Sequence, residues 1–141
     1  MRYFIGIDTG KHTGVCVWDA EERRIVLVAT TLIHRAFDIV SQYPKGDTLV
    51  RVEDARQRKW FGRGDQSFKA QGEGSVKRDA VIWEDFLRDR GYRFQMVAPR
   101  DNRTKLTRTE FESMTKLRTS TSEHSRDAAM LVFGLGRNFL A

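Results

Sequence analysis

The segment Tyr3-Phe4-Ile5-Gly6-Ile7-Asp8-Thr9-Gly10, followed closely by Thr13-Gly14, constrains this chain more than any other. Aromatic and β-branched residues before Asp8 have the character of a buried strand, so the acid at its end is held on a rigid platform. A bare carboxylate there is costly to bury without a compensating cation. Gly10 and Gly14 permit a tight turn and the close approach of a second strand or of a ligand's phosphate. Asp8-Thr9-Gly10 alone is also ordinary turn chemistry, so its meaning depends on what else reaches the same strand end.

The order of elements supplies candidates. Strands are expected at residues 2–8, 13–19 and 24–30, the last two joined by a charged turn at 20–23, which makes an antiparallel meander. A helix over 32–43, with Ile33, Phe37 and Val40 in one stripe, is ended by Pro44-Lys45-Gly46-Asp47. The following strand, 48–53, can return by a right-handed crossover to lie parallel to the first. That brings Glu53, or its neighbour Asp54 on the opposite face, to the edge occupied by Asp8. Residues 55–74, rich in Gly, Arg and Gln without a clean period, read as a mobile loop. A helix over 76–90 has Val76, Ala80, Trp83 and Leu87 on one face and Gly91 as its stop. A strand over 92–98, a basic connector and a short helix with capping-box spacing at Thr109 and Glu112 follow. The last helix opens at Ser122 and carries Ala128, Leu131, Leu135 and Phe139 along one side. The expected fold is α/β, a single domain over 1–141 with a five-stranded mixed sheet, a three-strand meander plus two parallel strands, flanked by helices.

Composition narrows the function. The 25 Lys and Arg against 19 Asp and Glu give a formal charge of +6, an electrostatic footprint that suits nucleic acid. The only cysteine, Cys16, lies in an apolar strand pattern, which excludes a disulfide framework and a Cys-rich zinc site and fits a reducing cytoplasm. No apolar run is long enough to cross a bilayer and no signal segment precedes the first strand, so a soluble, cytoplasmic chain without a membrane partner is expected.

His124 and Asp127 stand three apart at the start of the last helix and so share a face. Asp8, Glu53 and Asp127, with His124 beside them, then form a cluster of acids that a divalent cation would neutralise, and oxygen donors suit Mg²⁺ or Mn²⁺. Downstream of Glu53, Arg56, Arg58, Lys59 and Arg63 surround Trp60-Phe61, mixing phosphate-pairing cations with rings able to stack on or wedge between bases. Those rings can equally tuck into the core. Lys11, in the turn after Asp8, joins the candidate nucleic-acid contacts.

Taken together, Ile5-Gly6-Ile7-Asp8-Thr9-Gly10 with Thr13-Gly14, then Val52-Glu53, then His124-Ser125-Arg126-Asp127-Ala128-Ala129, resemble the RuvC-type Holliday junction resolvases of the ribonuclease H-like superfamily, in the compact phage or prophage form. The resemblance spans the whole chain. It implies two Mg²⁺ ions, replaceable by Mn²⁺, on Asp8, Glu53 and Asp127, with His124 as a fourth catalytic member and either a ligand or a proton shuttle. It also implies symmetric nicking of four-way junctions, and of forks and flaps, with 5′-phosphate products. Thr9 stands where the family usually has proline, and Lys105 is the nearest match, loosely aligned, to a lysine after the penultimate strand. Two strands to cut imply a homodimer, with the helix over 76–90, through Trp83 and Phe86, as its interface unless those residues cover the sheet. The YqgF family of pre-ribosomal-RNA nucleases shares the first motif and the metal chemistry, and a non-catalytic nucleic-acid-binding module shares the basic surface. Actin-like folds share the glycine spacing but need two such domains.

Overall fold

The computed structural model describes residues 1–57, 66–103 and 105–139. Its centre is a five-stranded sheet in the order β3-β2-β1-β4-β5. Strands β1 (Tyr3–Asp8), β2 (His12–Asp19) and β3 (Arg24–Leu32) form the antiparallel meander. Helix α1 (Ile33–Ser41) then carries the chain across so that β4 (Thr48–Glu53) pairs parallel to β1, with Ile7 opposite Val52. Helix α2 (Gln66–Arg90) leads to β5 (Arg93–Val97), parallel to β4. Helices α3 (Arg108–Thr115) and α4 (Glu123–Met130) complete the described elements.

Side-chain alternation along the strands builds two cores. Ile5, Ile7, Val15, Val17, Val50 and Val52 face α1 and α2, where Ala36, Val40, Trp83 and Leu87 are buried with them. Trp83 is fully buried, and the Phe37 ring sits 4.5 Å from it and 4.3 Å from Phe86. Trp83 is thus spent on the sheet, and Phe86, partly buried, packs against the same cluster. Phe4, Cys16, Trp18, Leu49 and Val97 face the other way, onto Phe111 and the 128–132 stretch. Cys16 is plain core, as its pattern indicates.

Several element boundaries differ from the sequence expectation. The described part of 55–74 is not a loop: helix α2 already begins at Gln66, because glycine in a helix costs only about 1 kcal/mol against alanine and biases the backbone without stopping it. The capping box belongs to Thr107 and Glu110, whose side chains and backbone amides bond reciprocally, two residues ahead of the expected Thr109 and Glu112. The last helix ends at Met130, and Leu131 to Phe139 run in turns. Gly134, at φ +83, takes a left-handed conformation there that would strain any other residue. Arg103 donates to the Met130 and Phe133 carbonyls, and Arg23 to those of Gly134 and Leu135. These guanidiniums give the carbonyls at and beyond the helix end the partners that further helix would have supplied.

Candidate active site

The strand faces decide which acids meet. Asp8 shares its face with Phe4 and Gly6, and Glu53 shares its face with Leu49, so both acids lie at the same sheet edge on the side covered by α4. Helix α4 is seated unusually close to that side. A Cβ on Gly6 would stand 2.0 Å from the Ala128 carbonyl oxygen, and one on Gly14 would stand 2.0 Å from that of His124. The close approach for which Gly14 is suited is thus to a helix backbone rather than to a strand or a phosphate.

Ser122 caps α4 by accepting from the Ser125 amide, and its hydroxyl bonds that of Thr30 on β3, which fixes the helix start over the sheet edge. Asp127 then points at the strand ends. Oxygens of Asp8, Glu53 and Asp127 all lie within 4.8 Å of one another. His124 Nδ1 is 3.0 Å from Asp8 Oδ2. These groups line a cleft of about 250 Å³ together with Lys105 and Glu123. Lys105 Nζ lies 3.3 Å from both Asp127 Oδ2 and Glu123 Oε1, at the exposed mouth of the cleft.

The electrostatics are those of a site short of positive charge. Burial pushes the Asp8 carboxyl above its ordinary value, and Asp127 adds to the effect, while the hydrogen bonds from His124 and Glu53 oppose it. Burial works against the Lys105 ammonium, yet Asp127 and Glu123 outweigh it and hold its pKa above the usual lysine value. The donor set is all oxygen with one imidazole adjacent and no thiolate, which fits a hard divalent cation such as Mg²⁺ or Mn²⁺.

Of the two acids at the end of β4, Glu53 is the one that lies beside Asp8 and Asp127. Asp54 instead receives two bonds from the Arg56 guanidinium, at 2.8 and 2.9 Å, and one from Gln57. Burial alone would raise the Asp54 pKa, but these donors outweigh it and hold it below the usual carboxylate value. Arg56 also donates to Glu84 on α2 at 2.9 Å, so its charge is already spent on two carboxylates. Lys11 is exposed between β1 and β2 and lies outside the cleft. Arg58, Lys59, Trp60, Phe61 and Arg63 fall outside the described residues. Sequence reasoning missed Glu123, adjacent to His124 in the first helical turn, and Asn102, whose Nδ2 donates to the Asp127 carbonyl at 3.2 Å. Nothing in a linear reading points to Asn102, since its partner is a backbone atom 25 residues away.

One solved structure, described as T. thermophilus RuvC in complex with Holliday junction substrate, matches with a TM-score of 0.61 over 93% of this chain and 90% of that one. The chain has the RuvC fold. Sequence identity to that RuvC is 16%, so the likeness establishes the ribonuclease H-like architecture and not the chemistry. No protein-family model matches the sequence, and no curated protein sequence matches it. Among the described residues, no helix of this RuvC-like fold is long and apolar enough to cross a membrane.

Proposed function

We propose that the chain is a metal-dependent endonuclease that resolves Holliday junctions and related branched DNA by paired phosphodiester nicks. The observation that carries this reading is the convergence of Asp8, Glu53 and Asp127 within 4.8 Å at one sheet edge of a RuvC fold. The resemblance of its three motifs places it, in our reading, with the compact phage or prophage form.

Asp8, Glu53 and Asp127 would hold the metal, Mg²⁺ or Mn²⁺, in two copies as in resolvases. Bound there, it supplies Lewis-acid activation of the scissile phosphate and of the attacking water. The protein's own groups do the rest. With Nδ1 donating to Asp8, the His124 imidazole leaves Nε2 as an acceptor for a proton at the cleft mouth. Lys105, two-thirds exposed and anchored to Asp127, offers an ammonium to a phosphate oxygen of the incoming strand. Arg58, Lys59, Trp60, Phe61 and Arg63 follow Glu53 closely in sequence, and Trp60 and Phe61 remain our candidates for opening the junction centre.

Two strands require two sites, hence a two-fold homodimer. Because Trp83 and Phe86 face inward, the contact falls to the outer face of α2, where Val81 and Ile82 are 41% and 39% exposed. Arg78 precedes them by a turn and Asp85 follows, so antiparallel pairing would set Arg78 against Asp85 of the partner subunit.

The test is nicking of an immobile four-way junction, a fork, a matched duplex and a structured RNA in Mg²⁺, with Asp8→Asn and Asp127→Asn alongside. Symmetric nicks with 5′ phosphates in the junction, lost in both variants, are expected. Tight junction binding without cleavage would replace the reading with a binding module, and cleavage of RNA alone would move it to ribosomal-RNA processing.

A further inference from the structure

Gly6 and Gly14 let α4 lie almost on the sheet, but a track of glycines offers no side-chain knobs to stop the helix sliding or tilting along it. Something else must set its position. Arg51 lies two residues before Glu53 on the same face of β4. Its Nη1 donates to the Leu131 carbonyl at 2.5 Å and its Nε to Gln95 Oε1 on β5 at 3.0 Å, while the Phe139 ring centre lies 5.1 Å from Cζ. Both of these acceptors are neutral, and the like-charged Arg103 lies nearby. A half-buried cation bonded to neutral groups is an expensive way to fill a strand face. The rigid fork of the guanidinium does what an apolar side chain cannot, reaching a neighbouring strand and a helix end at once.

Leu131 is one helical turn beyond Asp127, so strand, guanidinium and helix close a rigid circuit from Glu53 through Arg51 and Leu131 to Asp127. We infer that Arg51 is a positioning residue for the carboxylate cluster, locking β4 to the end of α4 and thereby setting the separation of Glu53 and Asp127. This inference rests on the metal-binding reading of the cluster.

Mn²⁺ binding measured by calorimetry on wild type, Arg51→Met, Arg51→Lys and Arg23→Met, with melting in EDTA for each, tests it. Arg51→Met is expected to bind Mn²⁺ about tenfold more weakly, in line with loss of an outer-shell support. Arg51→Lys, which keeps the charge but loses the planar fork, should fall between and guards against a Met variant that does not fold. Arg23→Met removes an arginine-to-carbonyl contact that does not involve β4, and should lower the melting point without moving Mn²⁺ affinity. Wild-type affinity in a folded Arg51 variant, or an equal loss in Arg23→Met, overturns the positioning role while leaving the metal reading intact. Absence of Mn²⁺ binding to wild type overturns both.

Discussion

The α-carbon of Gly14 faces the carbonyl of His124 so closely that a methyl group placed on it would overlap that oxygen, at 2.0 Å. The residue that carries the imidazole of the site is therefore seated by the absence of a side chain on β2.

Gly14→Ala must push α4 off the sheet, and the clash is with backbone, which cannot rotate away. A loss of about 3 kcal/mol in urea unfolding is expected, at the upper end of what overpacking costs. Gly46→Ala, where nothing lies within 4 Å of the added methyl, should stay within about 0.5 kcal/mol. Equal midpoints for the two variants would show that α4 is not held against β2.

Asp8 has a raised pKa in the metal-free protein, so the folded state binds its proton more tightly than the unfolded chain does. Stability without metal should then decline as pH rises from the ordinary aspartate value of 3.8 through the raised one. Asp8→Asn removes that charge while keeping the shape. In EDTA at neutral pH it should melt above wild type, because the buried charge is gone, while losing junction nicking. A variant that melts lower than wild type in EDTA would show that the His124 contact outweighs the repulsion.

Arg56 is tied to Asp54 and Glu84 and links the end of β4 to α2. Replacing it with Gln should cost about 2 kcal/mol, the range for hydrogen bonds to charged groups. It should leave the salt dependence of junction binding unchanged, because no phosphate contact is lost. Since Asp54 titrates below the usual range, the Arg56 contribution is present above that range and vanishes as pH falls through the depressed value. A reduced salt slope in a stably folded Arg56→Gln would return this residue to the DNA surface.

Ile82→Arg places a charge at the centre of the proposed α2 contact without entering either core. Sedimentation should show a folded monomer with the Mn²⁺ affinity of wild type, which nicks the two junction strands independently instead of together. A dimer that persists would place the interface elsewhere.

Much of this site was legible in the chain because its placement follows from periodicity. Asp8 and Glu53 terminate apolar strands, one helix separates them, and the parallel return puts both at one edge; His124 and Asp127 follow from helical spacing. What escaped were contacts to backbone. Arg51 reads as an ordinary polar residue alternating in a strand, and Arg103 as part of a basic connector, because a carbonyl acceptor leaves no trace in residue type. The same blindness affects the charge count. Arg23, Arg51, Arg103 and Arg126 all donate to main-chain carbonyls, so part of the basic composition that suggests nucleic acid serves the fold itself. The end of α4 was overrun for a related reason: Leu135 and Phe139 keep helical spacing beyond Met130, and only the left-handed Gly134 and the arginines show that the backbone has already turned.

The three carboxylates come from the first strand, the fourth strand and the last helix, with β1 at the middle of the sheet and α4 laid over it. During synthesis, Asp8 and Glu53 leave the ribosome long before Asp127 exists, and the glycine seat stays empty until the final helix arrives. A nascent or truncated chain therefore holds two thirds of the cluster and none of its completed geometry. Whatever chemistry the three acids support is thereby withheld until the segment carrying Asp127 has been made.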